Sequence, residues 1–262
     1  MSAKPPASFI ADRLKTTLTL LRVCIERGKL ISAGGTTDAA ASHKWFAETG
    51  VVAAYELKNN KTFKEVASRF SVDTSSVDPT YMAARIQRDV VVLESLLPNL
   101  EKQLQDALHD SSCARVASVL NRFSRVARQL GSSRHAKRIP FTVDDEYDVQ
   151  YLLHGLLLTE FDDVRREEWS PSHAGSQSRM DFVLKQPRIV IETKMVRVGL
   201  LDREVSEQLT IDKSQYKAHP DCRTLFCFIY DPERLLQNPE ALQDLKETSP
   251  GMSVHVFVRP RM

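Results

Sequence analysis

The chain has 262 residues, 42% hydrophobic and 27% charged, with a formal net charge of +2, which is material for one or two buried cores. No run approaches the ~18 apolar residues of a membrane span, and the first residues, with Lys4 and two prolines, carry no apolar segment of signal-peptide length. Four scattered cysteines, Cys24, Cys113, Cys222 and Cys227, form no disulfide framework, so a cytoplasmic protein with reduced thiols is expected.

The small net charge hides two unlike halves. Residues 1–140 carry 21 Lys and Arg against 13 Asp and Glu, whereas residues 141–262 carry 15 against 21. Such asymmetry argues for two functional regions. They are placed at residues 1–138, a helical region for dimerisation, DNA contact or regulation, and at residues 139–262.

The first half reads as helical. Phe9 to Leu30 has apolar residues near helical period, with Gly28 near its end. Asp38 can cap a helix that includes Lys44 to Leu57, with Gly50 in its middle. Thr62 and Glu65 form a capping-box pattern for a short helix to Phe70, followed by a polar linker to Pro79. Tyr81 to Leu108 reads as a long helix kinked or broken at Pro98. From Ala114 to Leu130, Val116, Val119, Leu120, Phe123, Val126, Ala127 and Leu130 fall within a ~120° arc. Arg115, Arg122, Arg125 and Arg128 occupy the remaining surface of that helix, and no acid occurs between residues 111 and 143. Two readings stand: a solvated face, or contacts from Arg122, Arg125 and Arg128 to a nucleic-acid backbone.

After Pro140 helices and strands mix. Thr142 or Asp144 can cap a helix to Leu158, and its acidic first turn complements the helix dipole. Within that turn Glu146 lies close to the apolar arc of Leu152, Leu153 and Leu156, which lets it lean inward; His154 reads as structural. Glu167 to Ser178 is a polar loop, in which His173 and Gln177 are candidate DNA contacts. Arg179, just after it, is a candidate phosphate contact or a surface ion pair.

Arg179 to Lys194 reads as a β-hairpin, two Val/Ile/Phe-rich runs around a Pro-containing break. Side chains alternate faces along a strand, so Glu192 and Lys194 point the same way. A loop at Gln186-Pro187 sets Asp181 opposite Glu192; a turn at Pro187-Arg188 sets it opposite Lys194. Both keep the three on one face, which a three-residue loop would spoil. Two opposed carboxylates lie only about 5 Å apart at Cβ and repel, and a divalent cation turns that repulsion into affinity. Oxygen ligands in small number suit Mg²⁺ or Mn²⁺. The alternative is an amphipathic hairpin with a solvated salt bridge. Asp202 to Lys217 is a helix with Val205, Leu209, Asp212 and Tyr216 near one face; Thr224–Tyr230 is a buried strand, and Ser253–Val258 a final one. His219, Cys222 and Cys227 lack a second ligand pair at zinc spacing. The fold class is α+β or α/β, a mixed sheet flanked by helices after an all-helical N-terminal region.

From about Phe123 to Pro260 the chain resembles the PD-(D/E)XK nuclease superfamily, closest to the restriction-endonuclease branch typified by DpnII and MboI. The resemblance rests on DDEYDVQYLLHGLL (144–157), EEWSPSHAGSQSRMDFVLK (167–185), IVIETK (189–194), EQLTIDKSQYKAHPDC (207–222) and FCFIYDPE (226–233). It implies that Asp181 and Glu192 bind metal and that Lys194 assists the attacking water, with a pKa lowered beside the ion. It further implies an extra ligand from the first helix, for which Glu146 is the candidate, and a polar residue from the second, for which Gln208 is the candidate. Met180 stands where the superfamily name has Pro. The activity implied is a Mg²⁺-dependent DNA endonuclease of restriction or antiphage defence, with DNA as substrate and a homodimer or a regulatory protein as partner. The competing expectations are a non-catalytic DNA-binding module and an RNA-cleaving toxin.

Overall fold

The structure is a computed structural model that describes residues 5–33, 38–56, 78–132, 137, 139–169, 179–199, 202–217, 219–249 and 251–260. The expected short helix over Thr62–Phe70 and the linker over 71–77 lie outside them, as do His173 and Gln177. The chain divides into two compact units, Met1–Asp110 and Ser111–Met262.

The first unit is helical. Helix α1 spans Ala7–Ala33 and α2 spans Ala39–Glu56; α3 begins at Pro79 and runs to Gly131. Asp38 and Asp78 cap α2 and α3, accepting from Ala40 N and Thr80 N at 2.9 Å each. The core gathers Leu21, Ile25, Trp45, Phe46, Ile86 and Leu93, and the Trp45 indole N–H donates to the Cys24 carbonyl at 2.7 Å. Gly28 is buried inside α1 and does not end it. A Cβ there would meet Val90 Cγ2 at 2.5 Å and the Trp45 ring at 3.0 Å, so glycine permits the close approach. Helix α3 passes through Pro98 without ending, so it is not broken there. An interior proline costs about 3 kcal/mol; burial of Leu93, Leu96 and Leu100 around it is enough to offset that.

In the second unit the last turns of α3 bury Val116, Leu120, Phe123 and Ala127 against one face of a sheet. The ring of Phe123 packs edge-on against Phe228 and Tyr230 at about 5 Å. Helix α4, Glu146–Leu158, shares this layer through Val149, Leu153 and Leu157. Its N-cap is Asp145, which forms a capping box with Asp148; the anticipated Asp144 instead accepts from the Thr142 hydroxyl.

The strands are β1 Arg165–Trp169, β2 Arg179–Leu184, β3 Ile189–Met195, β4 Thr224–Tyr230, β5 Glu247–Ser249 and β6 Met252–Arg259, in spatial order β1-β2-β3-β4-β6-β5. β3, β4 and β6 are parallel and the other pairs antiparallel. Every residue of β4 is buried, as a central strand with both faces covered requires. Helix α5, Asp202–Tyr216, covers the second face with Val205, Leu209 and Tyr216 against Val183, Val190, Cys227 and Ile229. The mixed sheet flanked by helices, after a helical N-terminal region, is the architecture read from sequence.

β1 is where the polar loop was expected to begin. Its residues alternate no apolar pattern because the strand is an edge, and charge on an edge opposes unwanted pairing. The β2–β3 turn occupies Lys185–Arg188, closed by Arg188 N–H donating to the Lys185 carbonyl at 3.0 Å. Phe182 pairs with Ile191, Val183 with Val190 and Leu184 with Ile189. This is the register of the Gln186-Pro187 alternative.

Candidate active site

The hairpin and α4 build the site from two directions. Continuing the β2–β3 register sets Asp181 across from Glu192, but the paired ladder ends at Phe182 and Ile191. Beyond that point Asp181 itself takes the neighbouring strand's donors. Its Oδ2 accepts from Thr193 N at 2.8 Å and from Thr193 Oγ1 at 2.6 Å, and its Oδ1 accepts from Gln150 Nε2 of α4 at 2.9 Å. Thr193 alternates with Glu192 and Lys194, so the Asp181 carboxylate turns toward α4, while the other two face α5. The single-face arrangement expected from strict alternation is therefore not kept. Met180 and Val183, three residues apart, join the same core, which shows where the alternation slips.

Glu192 is 4% exposed and both its oxygens are engaged. Lys194 Nζ donates to Oε1 at 2.8 Å and Tyr216 Oη of α5 donates to Oε2 at 2.9 Å. Lys194 also lies 3.7 Å from Asp212 Oδ2, a buried oxygen with no hydrogen bond of its own. Across the cleft Glu146 Oε2 accepts from Met195 N at 3.2 Å. Glu146, Asp181, Glu192 and Lys194 line one cleft of about 430 Å³, with Arg179 and Arg197 at it.

Electrostatics follow from burial and crowding of like charge. Desolvation raises the carboxyls of Glu146, Asp181 and Asp212. Desolvation together with Asp181 pushes Glu192 up to about 8, against the pull of Lys194. Burial by itself would lower Lys194, yet Glu192, Asp212 and Glu146 outweigh it and raise the ammonium above its ordinary range. In this ion-free arrangement acids surround Lys194 and keep it a cation; the lowering expected from the sequence is that beside a bound ion.

Among the described residues no three His, Cys, Asp or Glu side chains converge as a ready-made ion site. The chemistry of the donors nonetheless fits a hard divalent cation. Asp181, Glu192 and Glu146 present only carboxylate oxygens, and burial raises the pKa of all three, a cost of holding their charge that a bound cation offsets.

Of the other residues singled out from sequence, Gln208 is exposed on α5 and is not among those lining the cleft. From α5, Asp212 and Tyr216 are the groups that contact Glu192 and Lys194. Arg179 forms an ion pair with Glu167 at the cleft wall. Arg122, Arg125 and Arg128 are exposed on α3. His154 stacks on Phe182. Gln150 and Thr193, which hold Asp181, stand out in no sequence motif. Gln150 is one helical turn from Glu146, a spacing that puts both on one face; Asp212 and Tyr216, also four apart, share one face of their helix with Val205 and Leu209.

A family model of DpnII-MboI restriction endonucleases, REase DpnII-MboI, matches residues 114–261. The chain belongs to this family. The match takes in α4, the hairpin, α5 and the last turns of α3, so every residue described at the cleft falls within the DpnII-MboI region. Membership puts the chain among the DNA nucleases of restriction. No curated protein and no solved structure gives a significant match. Among the described residues no helix is long and apolar enough to cross a membrane.

Proposed function

We propose that this DpnII-MboI family member is a Mg²⁺-dependent DNA endonuclease, with Mn²⁺ able to substitute, that hydrolyses phosphodiester bonds in restriction or antiphage defence. The observation that carries the reading is the meeting of Asp181, Glu192, Glu146 and Lys194 in one cleft. Asp181, Glu192 and Glu146 would hold the ion. When bound, a divalent ion supplies Lewis-acid stabilisation of charge on the non-bridging phosphate oxygens.

The remaining chemistry belongs to the chain's own residues. Water attacks phosphorus in line, forming a P–O bond as the bond to the leaving oxygen breaks; the water's proton passes to solvent and the leaving oxygen takes one from solvent. Lys194, held as a cation by Glu192 and Asp212, donates a hydrogen bond that orients this water or a phosphate oxygen. Thr193 and Gln150 hold Asp181, and Tyr216 holds Glu192, so both carboxylates are aimed before substrate arrives. Gln208, exposed one turn from Asp212, stands further out as a polar group of α5. Arg122, Arg125, Arg128 and Arg179 offer positive charge to the DNA backbone.

Cutting both strands calls for two sites, so the working form is a homodimer, with the helical region of residues 1–138 serving dimerisation, DNA contact or control by a partner protein. Light scattering tests the assembly. Phage plating on cells expressing wild-type or Asp181→Asn protein tests defence: protection lost in the variant supports it, and equal plating on both and on control cells refutes it. Cleavage of labelled duplex DNA against RNA of the same sequence separates the DNase reading from a ribonuclease.

A further inference from the structure

A second cleft adjoins the proposed active site. It has a volume of about 530 Å³ and lies between the last turns of α3, the segment Phe141–Asp144 and the residues after β4. Asp144 borders both clefts, so the two are neighbours with one residue as their shared wall. Two cations reach the second cleft from separate elements, Arg128 from α3 and Arg234 from the turn after β4. Both are exposed, and neither has an ion-pair partner among the described residues. Arg122 and Arg125 of the same helix do not line it. Ser124, also in its wall, keeps a buried hydroxyl oxygen with no hydrogen bond.

Two features mark the cleft as more than a gap in packing. Arg234 sits at φ +58°, the left-handed region that L side chains rarely adopt. That conformation is held by the Asp231 carboxylate, which accepts from Leu235 N at 2.9 Å and Leu236 N at 3.1 Å. Strain of this kind persists where the surroundings over-determine it, and it clusters at binding sites. The acids nearby are already occupied: Asp231 by those two amides, Asp144 by Thr142 Oγ1 at 2.8 Å. Of the charged residues lining the cleft, Arg128 and Arg234 outnumber Asp144, so the net charge facing it is positive.

We propose that this cleft binds a backbone phosphate of the DNA strand whose scissile phosphate lies in the neighbouring cleft, with Arg128 and Arg234 as its two ligands. The inference rests on the nuclease reading of the neighbouring cleft. It distinguishes Arg128 from Arg122 and Arg125, which the sequence grouped together. It also gives Arg234 a role that no helical pattern suggested.

The test is duplex binding by fluorescence anisotropy in EDTA, where no cleavage occurs, over a range of salt. The variants are Arg128→Gln, Arg234→Gly and Arg122→Gln. Arg234→Gly relieves the left-handed strain, so its melting temperature should hold or rise, and a loss of binding then belongs to the side chain. Arg128→Gln and Arg234→Gly should each weaken binding about tenfold and shallow the log-log salt slope by about 1. Arg122→Gln, whose side chain does not line the cleft, should lose clearly less affinity than either of these two variants. Wild-type affinity and slope in Arg128→Gln and Arg234→Gly would overturn the proposal while leaving the nuclease reading in place. Equal losses in all three variants would also overturn it, in favour of a diffuse helix face. Absence of duplex binding by the wild type would sink both readings, as would binding only to single-stranded RNA.

Discussion

Replacing Tyr216 by Phe removes one oxygen and little else. The ring is 1% exposed and stays packed against Val205 and Leu209, so no cavity opens. What is lost is the donor to Glu192 Oε2 at 2.9 Å. Burial and the facing Glu192 hold the Tyr216 phenol well above its ordinary range, so it remains a donor at any pH of interest. Glu192, at about 8, is mostly protonated at pH 6 and mostly ionised at pH 9. A hydrogen bond to an ionised acceptor is worth about 1.5–3 kcal/mol and one between neutral groups about 0.5–1.5 kcal/mol. At about 2–4 °C per kcal/mol for a chain of this size, the metal-free variant should melt several degrees lower than wild type at pH 9 and only slightly lower at pH 6. Because the donor favours the ionised form of a metal-binding carboxylate, half-maximal cleavage should need about tenfold more Mg²⁺. Differential scanning fluorimetry at the two pH values and a Mg²⁺ titration of cleavage supply the readouts. A melting loss independent of pH, together with an unchanged Mg²⁺ requirement, would show that Tyr216 does not hold Glu192.

Two further outcomes follow from the same physics. Glu192 has a folded-state pKa raised to about 8 from 4.5, so its contribution to metal-free stability is present at acid pH and lost as pH rises through about 8. A cation that needs the carboxylate ionised should therefore raise the melting temperature more at pH 9 than at pH 6.5, and a Mg²⁺ effect of constant size across that range would contradict the raised pKa. In the helical unit, Gly28→Ala gains about 1 kcal/mol of helix propensity but drives a methyl to 2.5 Å from Val90; overpacking costs about 1–3 kcal/mol, so urea denaturation should show a net loss, and a stabilised variant would show that α1 does not pack so closely.

Much of this was legible because short-range rules govern it. The hairpin, the buried β4 and the amphipathic end of α3 each carry their own period, and the motif Asp181, Glu192, Lys194 sits within one supersecondary unit. The turn could not be fixed from the sequence, since two placements preserved the same alternation; pairing of the strands chose between them. What alternation could not show is its own failure at Asp181, where a side chain that outcompetes the ladder for Thr193 N turns the carboxylate toward Gln150. β1 escaped notice because an edge strand needs no apolar face. On α5 the sequence pattern groups Val205, Leu209, Asp212 and Tyr216 on one face, while the resemblance points to Gln208 as the polar residue. A helix of 3.6 residues per turn carries Asp212 and Tyr216 to the sheet and leaves Gln208 outside. The raised Lys194 ammonium of the ion-free site depends on Glu192, Asp212 and Glu146 together, and two of these arrive from other elements.

The most direct measurement is cleavage of supercoiled plasmid by purified wild-type protein and Lys194→Ala, each with Mg²⁺ and with EDTA. The account predicts nicking or linearisation by the wild type in Mg²⁺ alone, and loss of at least about a hundredfold in rate for the variant, which keeps its DNA affinity in EDTA. Cleavage by Lys194→Ala at the wild-type rate, or wild-type cleavage undiminished in EDTA, would contradict it.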